Sequence, residues 1–175
     1  MASTFVNNLR VAEPADGDAD WGTSTNTSLE LIGEALGVGT EGITTNADTH
    51  TSTVADGATD PARALHLQYT GTLDSACTIT IAPNTLKRVQ IIENATSGSQ
   101  SIIIKQGSGA TVTILAGTKR IVYLDGAGSG AAVVDITANL GMSSVNITGG
   151  SITGITDVAI TDGGTGGGSA ADARR

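Results

Sequence analysis

The 175-residue chain is long enough for one domain of ordinary size and too short for two independent cores of typical dimensions. Leu, Ile, Val and Phe supply 39 residues and only four residues are aromatic, whereas Gly supplies 24 and Thr 26. So few large side chains bury little apolar area in a single copy, and burial between copies would offset the entropy cost of folding. The composition therefore favours an oligomeric, β-rich structural protein over an enzyme with a deep pocket.

The net charge of −8 is distributed unevenly along the chain. Residues 1–60 carry −9, residues 61–140 carry +2 and residues 141–175 carry −1. An acidic leading segment repels phosphate, which disfavours nucleic acid as a partner. Residues 1–10 lack the apolar core of a secretion signal, and no window approaches 18 apolar residues. We therefore expect synthesis in the cytosol and no membrane insertion.

Residues 1–22 show no sustained apolar periodicity and contain Pro14, Gly17 and several acidic residues. This composition predicts an extended arm that attaches the protein to a larger particle. Trp21 is the only Trp in the chain, and Trp is enriched at binding hot spots. We expect Trp21 either to be the main docking contact of the arm or to pack onto the helices of its own oligomer.

Residues 23–37 carry apolar residues at helical spacing, with Leu29, Ile32 and Leu36 in the a/d rhythm of a short coiled coil and Gly37 just past the end. Such a short helix is marginal alone, so its apolar face needs a partner. We expect these three residues at an interface, and the mixture of Leu and Ile at a and d favours assemblies larger than dimers. Three residues serve as N-cap candidates: Thr23, Ser24 and Asn26.

Residues 38–62 hold few large apolar side chains and many Thr, Asp and Gly. This composition predicts a linker, or an extended strand that lies on another chain.

Residues 63–139 contain seven short β-branched runs separated by Gly-, Pro- and Asn-containing turns at about ten-residue spacing. This spacing predicts an antiparallel β-sandwich or jelly-roll-like domain. The predicted strands cover residues 64–69, 77–81, 88–92, 102–105, 111–114, 119–124 and 132–136. The side chains predicted to face inward are Ile79, Ile81, Val89, Ile91, Ile103, Ile114, Val122, Leu124 and Val134.

Residues 140–175 change character again, with isolated branched residues, among them Ile147, Ile152 and Ile155, spaced by Thr, Ser, Asn and Gly. Such a segment offers only narrow apolar edges and cannot build its own core. Three copies wound around a common axis would bury these edges. We therefore predict the start of an intertwined β-fibre shaft, with these three Ile residues at the interface between copies.

Two motifs resemble ligand-binding loops without completing them. Residues 16–20 place carboxylates at alternate positions, as a calcium loop begins, but Trp21 and Thr27 stand where that loop needs Gly and Glu. The glycine-rich residues 126–131 lead into a β-branched run, whereas a dinucleotide-binding turn leads into a helix. We expect a solvated acidic turn and a hairpin loop, respectively.

Residues that could carry catalysis are sparse. We expect His50 and His66 to be surface or packing residues and Cys77 to be a small buried apolar residue. No spacing of His, Cys and acidic residues predicts a metal site, a catalytic triad or a phosphate loop. We therefore predict no enzyme activity and no cofactor. A carbohydrate-binding β-sandwich stays open as an alternative, although such modules usually present aromatic platforms.

Two stretches resemble bacteriophage tail fibres. At residues 13–32, a Pro/Gly/Asp opening precedes a Trp-Gly pair, an Asn four residues after that Gly, and an apolar helix, which is similar to the leading segment of many such fibres. Residues 146–155, followed by 162–166 and 169–174, resemble their repeat-rich shaft. Fibre chains often continue past this Ala-Arg stretch with Asn-Leu-Gly, whereas the sequence here ends at Arg175.

The resemblance implies a homotrimeric virion appendage, assembled in the host cytoplasm. Its residues 1–22 would dock on proteins of the tail, and a distal part would meet a receptor on the host surface. Because the Asn-Leu-Gly continuation is missing, receptor binding would lie in a separate piece, or the protein would be a short fibre with an adaptor role. A neck fibre, a capsid fibre and a head-decoration protein share the same features and differ only in the docking partner.

Overall fold

The computed structural model describes Thr4 and residues 7–138, which form mainly β structure with one α-helix. Helix α1 spans Trp21–Ala35, and short 3-10 turns occupy Pro61–Arg63 and Gly128–Gly130. The strands are β1 Val38–Gly42, β2 Thr49–Thr53, β3 His66–Thr70, β4 Cys77–Ala82, β5 Arg88–Asn94, β6 Ile102–Lys105, β7 Val112–Ile114, β8 Lys119–Leu124 and β9 Val133–Asp135.

The strands form two sheets that share one hydrophobic core. The five-stranded sheet has the order β1-β3-β5-β8-β9, and the four-stranded sheet has the order β2-β4-β6-β7. From β1 to β6, successive strands alternate between the sheets and pair in parallel within each sheet. The chain thus makes three turns of a coil, as in a β-solenoid. Strands β7, β8 and β9 then add antiparallel pairs.

The antiparallel sandwich predicted from the sequence is therefore wrong for the first six strands, although the seven predicted strands are all present. Gly-, Pro- and Asn-containing segments indicate that the chain turns, but they do not distinguish a hairpin from a corner that leads into the other sheet. The hairpin predicted at residues 126–131 does connect antiparallel neighbours, β8 and β9.

The segment predicted as a linker, residues 38–62, instead contains β1 and β2 and forms the first turn of the coil. Its small side chains have a packing reason. A Cβ atom at Gly39 would lie 2.2 Å from the carbonyl oxygen of Pro61, so the segment that leads into β3 approaches the backbone of β1 directly. Low apolar content here reflects this close approach together with few core positions, among them Ile43 and Val54, which are buried.

Strands β5, β6 and β9 face the core with different residues than predicted. Val89 and Val134 are exposed and Ile91 and Ile103 are half-buried, whereas the other inward predictions are correct. In β5 the buried positions are Gln90, Ile92 and Asn94. The Gln90 side-chain amide donates to the carbonyl oxygens of Ala62 at 3.0 Å and Ala64 at 2.7 Å, which offsets the cost of burying it. The alternation of apolar residues alone therefore predicts the wrong face of β5 as the buried one.

Helix α1 begins earlier than predicted, directly after Asp20, so Thr23, Ser24 and Asn26 lie inside its first turns and do not cap it. Its buried face consists of Ser28, Leu31 and Ala35. The Ser28 hydroxyl donates to the carbonyl oxygen of Ala12 at 3.1 Å, which joins the helix to the preceding segment.

Residues 7–13, part of the extended arm that the sequence predicts, lie along their own domain. Arg10 pairs with Asp56, and its carbonyl oxygen accepts from the Gly57 amide at 2.8 Å. The side-chain oxygen of Asn8 accepts from the amide of Lys87 at 3.1 Å. The predicted fibre shaft at 140–175, with Ile147, Ile152 and Ile155, lies outside the described residues.

Candidate assembly surface

One face of α1 presents large apolar side chains to solvent. The exposed fractions are 64% for Trp21, 61% for Leu29, 36% for Ile32 and 74% for Leu36. These four residues, named here the helix stripe, follow the 3.6-residue period and lie beside the buried face of the same helix. The structure thus brings together the interface residues that the sequence predicts in this region, and it places Trp21 in the helix instead of in an arm.

An apolar groove of about 200 Å³ runs between the helix stripe and the five-stranded sheet. Ile32 and Leu36 form one wall, Leu65 and Val89 form the other, and Leu9 from the N-terminal segment also lines it. Leu65 and Val89 are 42% and 46% exposed. The groove therefore continues the apolar surface of the helix onto the sheet.

The outer face of the five-stranded sheet carries a second apolar cluster, named here the sheet patch. Val89, Tyr123 and Val134 face one another across β5, β8 and β9, and Ile91 pairs with Ile121 in the next row. The patch also includes Ile136, whose amide donates to the carbonyl oxygen of Ile121 at 3.1 Å. Sequence analysis missed this patch because it assigned three of the six residues to the core and left the others unassigned.

The outer face of the four-stranded sheet is polar by contrast. Thr49 pairs with Thr78, and Thr51 pairs with Thr80, all on the solvent side of β2 and β4. Ile103 of β6 follows in the first of these rows. Ile103 is half-buried, and the short hydroxyl side chains that make up the rest of these two rows are well solvated.

A buried ion pair lies behind the groove. Arg63 has a side chain with 0% exposure, and its Nη2 donates to Asp60 Oδ2 at 3.0 Å and to the carbonyl oxygens of Ala55 at 2.6 Å and Ala58 at 2.9 Å. Asp60 Oδ2 also accepts from the Ala55 amide at 3.0 Å. This network fixes the segment between β2 and β3.

Arg88 attaches that segment to β5. Its guanidinium donates to the carbonyl oxygens of Ala62 and Arg63, the latter at 3.0 Å. Burial lowers the pKa of Arg88 to about 10, and the carboxylate of Asp60 acts in the opposite direction. The side chain remains charged at neutral pH and links β5 to the backbone of Ala62 and Arg63 beneath an apolar surface.

The histidines each contact a carboxylate. His50 Nε2 lies 2.8 Å from Glu41 Oε1, and His66 Nε2 lies 2.9 Å from Glu93 Oε2, which also accepts from Lys119 Nζ at 2.8 Å. Within the described residues, no group of three or more His, Cys, Asp or Glu is placed to hold a metal ion.

The remaining buried protic groups, Cys77 and Tyr69, are protonated at neutral pH. Burial raises the pKa of the Cys77 thiol, and burial likewise raises the pKa of the Tyr69 phenol. The Tyr69 hydroxyl lies 2.7 Å from the Ser52 hydroxyl inside the core. Both side chains lie in the hydrophobic core between the sheets.

Comparison of the chain with protein-family models, with curated proteins and with solved structures gives no match. In the part of the chain that the structure describes, no helix is long and apolar enough to span a membrane. The chemistry of the surface itself is therefore the basis for a functional proposal.

Proposed function

We propose that the protein is a structural subunit of a bacteriophage virion fibre, and that it assembles as a homotrimer through the helix stripe. The observation that carries this proposal is the exposure of Trp21, Leu29 and Ile32 on α1, and of Leu36 directly after it, beside the face of the helix that packs on its own domain. A helix in a water-soluble monomer normally exposes polar residues outside its packed face.

The size of the exposed surface supports self-association. The helix stripe, the groove and the sheet patch lie next to one another, so one partner can cover a continuous apolar area. Burial of such an area contributes about 25 cal/mol per Å² before the costs of association are subtracted. Assembly thus supplies burial that the composition, with 39 large aliphatic and Phe residues in 175, does not supply within one copy.

The virion role rests on the likeness of residues 13–32 and 146–174 to phage fibre segments. Because residues 7–13 are bonded to their own domain, the surface left for docking on tail or neck proteins is the acidic turn before α1 together with Trp21. Pro14, Asp16 and Asp18 border a surface depression beside this Trp. A distal part of the assembled fibre would face the host receptor.

The trimer is tested by light scattering coupled to size exclusion, with Leu29→Glu as the disruptive variant. A wild-type mass of three chains is expected, and the charged substitution should reduce it to one. Thr23→Glu is the matched control, because this residue is also exposed on α1 but lies about 120° around the helix axis from Leu29. A monomeric wild type, or an unchanged trimer in the Leu29→Glu variant, would contradict the proposal.

Docking on the particle is tested separately with Trp21→Ala. We expect phage assembled with this variant to lack the subunit, and the isolated protein to keep its trimer mass because Leu29, Ile32 and Leu36 of the helix stripe remain in place. Antibody labelling of wild-type particles in electron micrographs then shows whether the fibre stands on the tail, the neck or the head. Normal incorporation of the variant into particles would show that Trp21 is not the docking contact.

A further inference from the structure

We infer that helix α1 of one copy docks on the sheet patch of the neighbouring copy. This inference rests on the proposed self-association and adds what the helix stripe contacts: the exposed Val89, Tyr123 and Val134 row on a second copy of this chain.

The first argument is that two neighbouring strands of the five-stranded sheet, β5 and β8, carry apolar residues on both faces where they form the patch. In β5, Ile92 is fully buried in the core while Ile91 and Val89 point outward, and in β8 Val122 is buried while Tyr123 points outward. Strands with apolar residues on both faces belong to sheets that are covered on both sides. The core covers one side of this sheet, and the structure leaves the other side for a partner.

The second argument is shape. The patch spans three neighbouring strands, so it is about 10 Å wide. A helix with its side chains has a diameter of about 10–12 Å. One helix therefore covers the Val89, Tyr123 and Val134 row, and the groove beside Val89 gives room for the large side chains of that helix.

The third argument is charge. Residues 13–36 carry six acidic residues and no basic residue, with Asp20 and Glu30 exposed close to the helix stripe. The patch has a lysine at each end: Lys87 precedes β5 and is exposed, and Lys119 of β8 is 55% exposed and lies 2.8 Å from Glu93 Oε2. Because Glu93 already neutralises Lys119, the attraction for the acidic helix comes from the Lys87 end of the patch, and it favours the orientation that places acidic residues there.

Packing of three helices around a common axis is the competing arrangement. This arrangement would bring together three copies of residues 13–36, each with six acidic residues and no basic residue. The negative charges of the three copies would repel one another. The same arrangement would also leave the sheet patch uncovered. Helix-on-sheet docking covers both apolar surfaces in one contact, and a contact between two different surfaces closes into a ring when the rotation is that of a trimer.

The first test replaces Tyr123 by Glu at the centre of the patch. We expect the dissociation constant of the oligomer to rise on the order of 100-fold, because a buried charge at an interface centre is strongly unfavourable. Thr80→Glu, on the outer face of the four-stranded sheet, is the matched control and should leave it unchanged. Circular dichroism of both variants checks that the fold is intact. A milder variant, Tyr123→Ser, serves if the charged one does not fold.

A failure of this inference can be told apart from a failure of the proposed function. If Leu29→Glu dissociates the oligomer and the Tyr123 variants leave it intact, the subunit still assembles through α1 but not on the sheet patch. If the wild type is monomeric, both proposals are wrong.

The second test identifies the neighbours directly in a Cys77→Ala background. Chains with Leu29→Cys and chains with Tyr123→Cys carry different tags, are co-expressed, and are treated with a short bismaleimide. We expect cross-links between differently tagged chains and none between two Leu29→Cys chains. Cross-linking of Leu29→Cys chains to one another, without mixed products, would show helix-to-helix packing and overturn the inference.

Discussion

The two sheets enclose the same core, yet their outer faces differ in composition. On the four-stranded sheet, Thr49 and Thr51 pair with Thr78 and Thr80 and are solvated. On the five-stranded sheet, the corresponding outward positions of the central strands hold Val, Ile and Tyr. Both sheets obey the same inward alternation, so the difference is not required by the fold. The five-stranded sheet therefore carries an apolar outer surface that its own fold does not demand.

This comparison also indicates how surface composition reports on assembly in a chain with few large apolar residues. Such a chain has few apolar side chains to bury in its core. Each branched or aromatic residue that is exposed contributes little burial energy to the folding of a single copy. Clustering of four exposed residues, Val89, Tyr123, Val134 and Ile136, with two half-buried isoleucines on one face is therefore more informative than scattered exposure.

The largest expected effect concerns the ion pair behind the five-stranded sheet. Arg63→Met should lower the free energy of unfolding by about 3–5 kcal/mol, because the largely buried Asp60 carboxylate loses its partner. Urea denaturation of the two proteins measures this difference. The double variant with Asp60→Asn should recover part of the loss. A single variant as stable as the wild type would show that the network does not hold the segment between β2 and β3.

A matched pair in β5 separates the inner from the outer face. Ile92→Ala should lower the free energy of unfolding by about 2–5 kcal/mol, because the side chain is fully buried and leaves a cavity. Ile91→Ala should have a smaller effect on the dissociated chain, because Ile91 is only half-buried. Thermal unfolding at low protein concentration measures both. Equal losses would mean that the outer face is already packed within one copy.

Exchanging the two outer faces tests the comparison itself. The double variant Val134→Thr and Tyr123→Thr makes the outer face of the five-stranded sheet polar, like that of the four-stranded sheet. We expect the dissociation constant of the oligomer to rise at least about tenfold. Thr51→Val with Thr80→Val makes the reverse change on the four-stranded sheet and should create a new tendency to aggregate. Sedimentation velocity over a concentration series measures both. If neither pair changes the oligomeric state, the contrast between the faces has no role in assembly.

The smallest expected effect is electrostatic. The hydrogen bond from Lys119, and a weaker one from His66, hold the pKa of Glu93 below its ordinary value of 4.5. A carboxylate with a lowered pKa in the folded state contributes stability that is present above its unfolded-state pKa and is lost as the pH falls through the folded-state pKa.

Lys119→Gln should therefore reduce stability at neutral pH by on the order of 0.5 kcal/mol and flatten the loss of stability below about pH 4.5. Urea denaturation at intervals of about one pH unit, between about pH 3 and pH 7, measures this pH dependence. Lys105→Gln, a lysine on the outer face of the four-stranded sheet, is the control. Identical pH profiles for both variants would show that the Glu93 pair contributes nothing to stability.

The elements were accessible from the sequence because their signals are local. The β-branched runs and the period of α1 gave the strands from β3 onward and the helix to within a few residues. Sheet pairing was not accessible, because the same turn residues serve a hairpin and a corner between sheets. The first turn was missed for a related reason: Gly39 of β1 approaches the Pro61 backbone directly, and the Thr-rich β2 lacks the apolar alternation that identifies a strand.

Three of the four residues of the helix stripe could be predicted to lie on one helix face, and the sheet patch could not be predicted. Leu29, Ile32 and Leu36 stand at helical spacing in a polar context, so their pattern selects one face. In β5, Val89, Gln90, Ile91 and Ile92 follow one another, and the sequence favours the branched residues as the core. Only the structure shows that Gln90 is buried, where backbone carbonyls satisfy its amide, and that Val89 and Ile91 are thereby turned outward.

The coil has a genetic consequence. Val38 pairs with His66 and His66 pairs with Ile91, so each turn repeats the path of the previous one after 28 and 25 residues. Duplicating one such unit in the gene would add one strand to each sheet and widen both outer faces by about 4.8 Å without a new fold. The area offered to a partner is thus a quantity that evolution can change in discrete steps, by copying a turn and then adjusting its outward residues.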